Sequence, residues 1–367
     1  MSGSNKHDSE FGQEHLGVWD PSGGEARSGS GLPVEEGDEE IQVLARSAQD
    51  GGIREVMQKE LGSFLGDPCW TLSIDILRPH TGARTLLQKT LELAPLTVED
   101  CMEPLRMPKM DMFQEGENGK TQGAFVAAFA LRLLKSENEV QLRAIEVDLV
   151  VGPNYLVTVR DTPVAEVSQR VQSKLQKDLS EDSGQMLAYE ALDALIDGHL
   201  PVLVSTAAAA EELEESLDPR NERVSITALE NLIALKRDLS AFRRLAVAQQ
   251  ETLRRLGRKY VEMRPYLSDV ADNQRETVDM ADATRDYVDG AVEAYRMRRD
   301  EWVGIGIRRL TVLASVLGPL SVFTAWYGTS FSDIPGVNLP YAFYVFVGIQ
   351  ILFIVLVFLY LRRRSWF

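Results

Sequence analysis

The stretch LTVLASVLGPLSVFTAWYGTSF (residues 310–331) decides how this chain is organised. Its first seventeen residues, Leu310–Trp326, carry no charge, and a second uncharged run of twenty-one residues, Tyr341–Leu361, follows after a short loop. At about 1.5 Å per helical residue the runs reach about 26 and 32 Å, close to the roughly 30 Å hydrocarbon core of a bilayer. Two such runs side by side read as a transmembrane hairpin rather than a buried helix pair. Arg308 and Arg309 precede the first run, Arg362, Arg363 and Arg364 follow the second, and the loop between them has no Lys or Arg. The positive-inside rule then puts both termini in the cytosol and the loop outside. The expected location is a cell inner (plasma) membrane, and an organelle inner membrane would obey the same logic.

The remainder of the chain has a different character. Of 367 residues, 55 are Asp or Glu and 39 are Lys or Arg, a net charge of -16, which argues against a nucleic-acid binder. Residues 1–40 are rich in Gly, Ser, Glu and Asp and are expected to form a disordered acidic tail. The opening residues lack the apolar core of a signal peptide. Cys69 and Cys101 have no metal-ligand spacing and suit a reducing cytosol. His7, His15, His80 and His199 are scattered, with no nucleophile or base around them and no phosphate-binding Gly-rich loop, so an enzyme is not expected.

Residues 41–205 mix helical and strand signals and predict an α/β cytosolic domain. GAFVAAFALRLL (123–134), AIEVDLVVG (144–152) and YLVTVR (155–160) read as strands, with Gly152-Pro153-Asn154 turning between the last two. Residues 83–93 have helical Leu spacing, and helices are expected from Pro163 and from Gln185. Residues 206–303 read as a helical region and stalk, and residues 304–367 as the two-helix membrane domain. Residues 236–264 are basic, which suits a membrane surface, a nucleic acid or an acidic partner helix; the acidic stretch 207–218 offers an intramolecular partner, and a solvated face is the default.

The helix entering the membrane is predicted to run unbroken from about Pro265 to Tyr327. Along it an acid recurs every seventh residue: Asp272, Asp279, Asp286, Glu293 and Asp300, continued by Ile307, Ala314 and Ser321. Four residues on lies a second column, Glu276, Ala283, Gly290, Met297, Gly304, Thr311, Gly318 and Ala325, mostly of small residues. A seven-residue period keeps each column on one seam of a gently supercoiled helix. Such a seam is either a solvated stripe or the wall of a water-filled axis on which rings of carboxylates concentrate divalent cations. Its continuation into the membrane run favours the pore. Two spans cannot enclose a path, so a pore requires several copies of the chain. Pro319 frees the carbonyl of Ser315, either for a wet cavity or simply as a packing kink.

The long helix, LTVLASVLGPLSVFTAWYGTSF, the short loop, the second span and the basic C-terminus together resemble the CorA family of divalent-cation channels. The likeness extends over about residues 70–367, through PLTVEDCMEPLRMPKMDMF (95–113), EVDLVVGPNYLVTVRD (146–161), LKRDLSAFRR (235–244) and YLSDVADNQRETVDMADATRDYV (266–288). The resemblance implies an α+β cytosolic funnel domain with long stalk helices, two C-terminal transmembrane helices and a homopentameric channel. It further implies that a divalent metal cation, Mg2+ before Co2+ or Ni2+, is both substrate and regulator, closing the channel at interfaces between funnels. By position, Asp269 matches the stalk aspartate of the regulatory metal site. Glu293, Ile307, Leu310, Thr311 and Ser321 match the family's pore lining, with Ile307 and Leu310 at its hydrophobic constriction, and Asp300, Gly304 and Gly318 of the heptad columns are expected to line the same pore. Arg362, Arg363 and Arg364 match the basic ring.

The outer loop departs from the family pattern of Tyr-Gly-Met-Asn-Phe. This chain has Tyr327, Gly328, Thr329, Ser330 and Phe331, so Ser330 stands where the selecting Asn is found, and Gly304 replaces the Asn of the stalk mouth. Mg2+ sheds water reluctantly, so a selecting mouth offers oxygens to the hydrated ion. Ser330 offers only one hydroxyl. The alternatives are therefore a zinc transporter like the ZntB branch and a membrane-anchored sensor or scaffold that no longer conducts. Asp333 is the one acid of the loop, either attracting cations or serving as a turn residue.

Overall fold

The computed structural model describes residues 40–65, 67–115, 121–136, 139–177, 183–328 and 341–363. The strands are β1 (Glu40–Ser47), β2 (Ile53–Glu55), β3 (Trp70–Leu77), β4 (Lys109–Glu115), β5 (Thr121–Lys135), β6 (Val140–Val151) and β7 (Tyr155–Arg160). The helices are α1 (Thr81–Thr85), α2 (Pro95–Met102), α3 (Ala165–Leu175), α4 (Ser183–Asp197), α5 (His199–Glu215), α6 (Glu222–Lys259), α7 (Arg264–Tyr327) and α8 (Ala342–Arg363). The expected helix over 83–93 starts as α1 and widens to a π-turn at Leu86–Thr90. The helices expected from Pro163 and Gln185 begin at Ala165 and Ser183.

The described residues fall into two compact units. The first takes its residues from within Met1–Leu133, Leu142–Leu203 and Arg237–Asp282. The strands form one sheet in the order β2-β1-β3-β7-β6-β5-β4. β3 and β7 run parallel, and β6 and β7 form the antiparallel hairpin that Gly152-Pro153-Asn154 predicts. Asn154 fixes this turn, since its amide donates to the carbonyls of Trp70 at 2.9 Å and Asp67 at 3.1 Å.

Strand alternation sorts side chains to the two faces of the sheet. In β5, Ala124, Val126 and Ala128 join a core with Val167, Val171, Leu187, Leu192, Leu253 and Val270. Phe125 and Ala127 point the other way, into a core with Ile74, Leu87, Val98 and Cys101. His199 is fully buried; its Nε2 donates to the Phe129 carbonyl at 2.9 Å, and its ring meets Phe242 edge-on. Burial lowers its pKa to about 4, so it is a neutral structural donor. Gln249 accepts from the Phe129 N–H at 2.8 Å, so this strand residue has both backbone groups paired.

The second unit takes its described residues from within Leu134–Gln141, Val204–Lys236 and Ala283–Phe367. Here Lys135 pairs with Glu212, and Tyr287 donates to Glu214. Among the described residues, three segments are apolar and long enough to cross a membrane by length and composition: 183–215, the end of α7, and α8. The first supplies Leu187, Leu192 and Leu195 to the core of the sheet, whereas the apolar windows of the other two bury nothing within the chain.

Candidate functional site

The helix predicted from Pro265 to Tyr327 runs from Arg264 to Tyr327, 64 residues or about 96 Å. Its buried side chains recur at Gln274, Ala281, Val288 and Tyr295, all at most 5% exposed. The acidic column Asp272, Asp279, Asp286, Glu293 and Asp300 is exposed at every position, as is the column from Glu276 to Ala325. Two residues correspond to about 200° around a helix, so both columns lie opposite the buried seam, about 40° apart. One face of α7 holds the fold together. The other carries the acids and the small residues, and none of the described residues of the chain buries it.

The glycines on that face are not required by packing within the chain. A Cβ built on Gly290, Gly304 or Gly318 meets no atom within 4 Å. Their neighbours in the membrane run are apolar and open, with Ile307 at 60% and Leu310 at 67% exposed. Thr311 donates its hydroxyl proton to the Ile307 carbonyl at 2.9 Å, which leaves its oxygen lone pairs to accept. Ser315 bonds back to Thr311 in the same way, at 2.7 Å. Ser321 is exposed, and α7 continues through Pro319 to Tyr327.

At the outer end, the Gly328 N–H closes α7 on the Thr324 carbonyl at 2.9 Å. Gln350, a polar residue within the apolar run of α8, donates to the Thr324 hydroxyl at 2.7 Å, and Phe323 stacks on Phe346. This clamp was not read from the sequence; a lone amide in an apolar run was the available signal. Thr329, Ser330, Phe331, Asp333 and Arg364 lie outside the described residues. Tyr327 and Arg362 are helical, and Arg363 is exposed at the end of α8.

Asp269 is exposed on α7, and its charge acts on Tyr189 and Asp193 of α4. Burial, then the charge of Asp197, raises the Asp193 carboxyl. Arg170 offsets these acids, 3.0 Å from Asp197 and 3.6 Å from Asp193, and Lys174 pairs with Glu190 at 3.1 Å. Among the described residues no three of His, Cys, Asp or Glu come together to hold a metal within one chain. The basic helix finds acids on α7: Arg243 pairs with Asp282 at 2.8 Å and Lys236 with Asp289 at 2.5 Å. The motif at 95–113 closes on itself, with Lys109 bridging Asp100 at 2.7 Å and Asp111 at 3.0 Å.

Residues 69–363 match the family described as CorA-like Mg2+ transporter protein. The chain is 21% identical over 302 residues to the putative metal ion transporter YfjQ of Bacillus subtilis, covering 80% of this chain and 89% of that protein. It is 22% identical over 342 residues to the cobalt/magnesium transport protein CorA of Thermotoga maritima, covering 90% and 93%. Its fold is similar to the complete structure of the CorA magnesium transporter from Methanocaldococcus jannaschii, with a TM-score of 0.71, 17% identity and coverage of 89% of this chain and 98% of that one.

Proposed function

This chain belongs to the CorA-like Mg2+ transporter family, whose members move divalent cations and are not enzymes, and from that premise we propose a homopentameric channel for divalent metal cations, Mg2+ before Co2+ or Ni2+. The observation that supports this most is the open face of α7, where acids and glycines share one side of a helix that its own fold leaves uncovered. Five such faces around an axis form rings of carboxylate at Glu293 and Asp300, a hydrophobic neck at Ile307 and Leu310, and oxygen at Thr311 and Ser321. Gly304 and Gly318 leave room for a hydrated ion. The two apolar helices cross the inner membrane with both termini cytosolic, and Arg362, Arg363 and Arg364 ring the inner entrance. Residues 1–40 form a tail, 41–205 the cytosolic α/β domain, 206–303 the helical region and stalk, and 304–367 the membrane domain.

Closure is a population shift. A divalent cation bridging Asp269 to an acid of the neighbouring copy favours the symmetric closed state, and its loss frees the stalks. Replacing Asp269 by Ala is expected to raise the internal Mg2+ needed for closure by about 5- to 150-fold, the span of ordinary allosteric coupling. Flux into liposomes loaded with graded Mg2+ measures this, and unchanged inhibition would remove Asp269 from the regulatory site.

Ser330 tests the substrate. Ser330→Asn restores an amide ring to the mouth, and one additional net hydrogen bond of about 1.4 kcal/mol to the hydrated ion gives a roughly tenfold preference. Flux of Mg2+, Co2+, Ni2+ and Zn2+ measured side by side is expected to shift toward Mg2+. A wild type that prefers Zn2+ supports the zinc reading that the missing Asn raises, and pentamers with no flux support the scaffold reading.

A further inference from the structure

Residues 237–259 of α6 hold seven Lys or Arg against two acids, Asp238 and Glu251. One side of this stretch is committed to the fold. Leu253 and Leu256 join the core against the sheet, and Gln249 bonds to β5. On the other side Arg244, Val247, Glu251, Arg254 and Arg258 are spaced by threes and fours, so they form one stripe of the helix. All five are exposed. Val247, at 44% exposed, puts an open apolar contact between Arg244 and Arg254.

The acids around this stretch leave much of its charge unbalanced. Asp282 of α7 takes Arg243, and Glu251 is shared by Arg255 at 3.3 Å and Arg258 at 3.1 Å. Asp238 accepts the Leu142 N–H at 3.2 Å. The acids of α5 are engaged elsewhere, Glu212 by Lys135 and Glu214 by Tyr287. Among the described residues Arg244, Arg254 and Lys259 have no hydrogen-bond or ion-pair partner. An occupant of the stripe therefore has to be anionic and needs little apolar area. Residues 1–39, outside the described residues, carry nine Asp or Glu against Lys6 and Arg27. Four of those acids, Glu35, Glu36, Asp38 and Glu39, immediately precede β1. Glu40, where β1 begins, and residues 237–259 belong to the same compact unit. A segment of that length reaches up to about 130 Å when extended, so distance within the unit is no obstacle. Its tether supplies an effective concentration in the millimolar range, enough for ion pairs that are individually weak.

We propose that the acidic N-terminal segment, residues 1–39, docks on the stripe of α6 between Arg244 and Lys259. Its carboxylates accept hydrogen bonds from the guanidinium groups and from the Lys259 ammonium. The contact is screened by salt, as exposed charge pairs are. The docked segment gives the basic face of α6 an anionic cover that any other polyanion has to displace.

Zero-length carbodiimide coupling of the full-length protein in detergent, read by mass spectrometry, tests this through Lys259, the one lysine of the stripe. At low salt Lys259 is expected to be joined to a carboxylate of residues 8–39, with a yield that falls several-fold in about 0.5 M salt. Arg244→Glu combined with Arg254→Glu changes two exposed positions and keeps Lys259. This double variant is expected to cut the yield about tenfold, because two attractions become repulsions. Lys59 and Lys89, exposed on the same unit, show what indiscriminate coupling of the segment looks like. A yield at Lys259 no higher than at those two lysines overturns the proposal, and so does a yield unchanged in the double variant. Coupling of Lys259 to α7 of a second copy in place of the segment also overturns it. So does loss of the coupling on transfer from phosphatidylcholine to phosphatidylglycerol bilayers, since lipid headgroups would then occupy the stripe.

Discussion

Glu293→Lys is expected to reduce divalent-cation flux by roughly 10- to 1000-fold, the range over which focused charge changes local ion supply. Glu293 is exposed on the open face of α7, one heptad below Asp300, so in the proposed pentamer the substitution turns a ring of five negative charges into five positive ones. The Debye length at physiological salt is about 8 Å, so a ring lining a narrow passage acts on every passing ion. The same reversal at Glu262, an exposed acid before α7 and outside the column, is expected to leave flux near wild type. Stopped-flow influx into liposomes distinguishes the two. Equal effects at both positions would mean that net charge matters and the column does not.

Gly184→Ala is expected to lower stability by about 3 kcal/mol, the upper end of overpacking costs. A Cβ at this second residue of α4 would sit 2.1 Å from the Gly152 carbonyl oxygen and 2.6 Å from that of Tyr155. Both obstacles are backbone and cannot rotate away. The Gly184 N–H meets the Pro153 carbonyl at 3.2 Å, and the neighbouring Ser183 accepts from Thr71 at 2.8 Å, so α4 starts pressed against the β6–β7 turn. At Gly62 the same substitution meets nothing within 4 Å and is expected to be almost silent. Thermal unfolding of the detergent-solubilised protein, comparing the two variants, measures the difference. A Gly184→Ala protein as stable as Gly62→Ala would show that the turn yields.

Local periodicity was legible, and contacts through space were not. The β6–β7 hairpin and the length of α7 follow from alternation, from Gly152-Pro153-Asn154 and from an uninterrupted helical pattern, all signals contained in neighbouring residues. Gly184 carried no such signal, because its need to lack a side chain comes from a turn thirty residues earlier. The clasp of Lys109 by Asp100 and Asp111 was visible as a motif but not as a bond. The same limit applies to the pathway. A seven-residue period identifies which side of α7 is acidic, while in the proposed assembly what faces that side belongs to other copies of the chain.

Distances between spin labels attached at Asp286→Cys test the account at its centre. Asp286 lies in the acidic column on the open face of α7, and Cys69 and Cys101 are replaced for the measurement. Five copies with this face toward a shared axis give two distances, the side and the diagonal of a regular pentagon, in detergent and in bilayers alike. A labelled protein with no intermolecular distance, or with the single distance of a dimer, would contradict the ring of acids on which the proposed ion pathway depends.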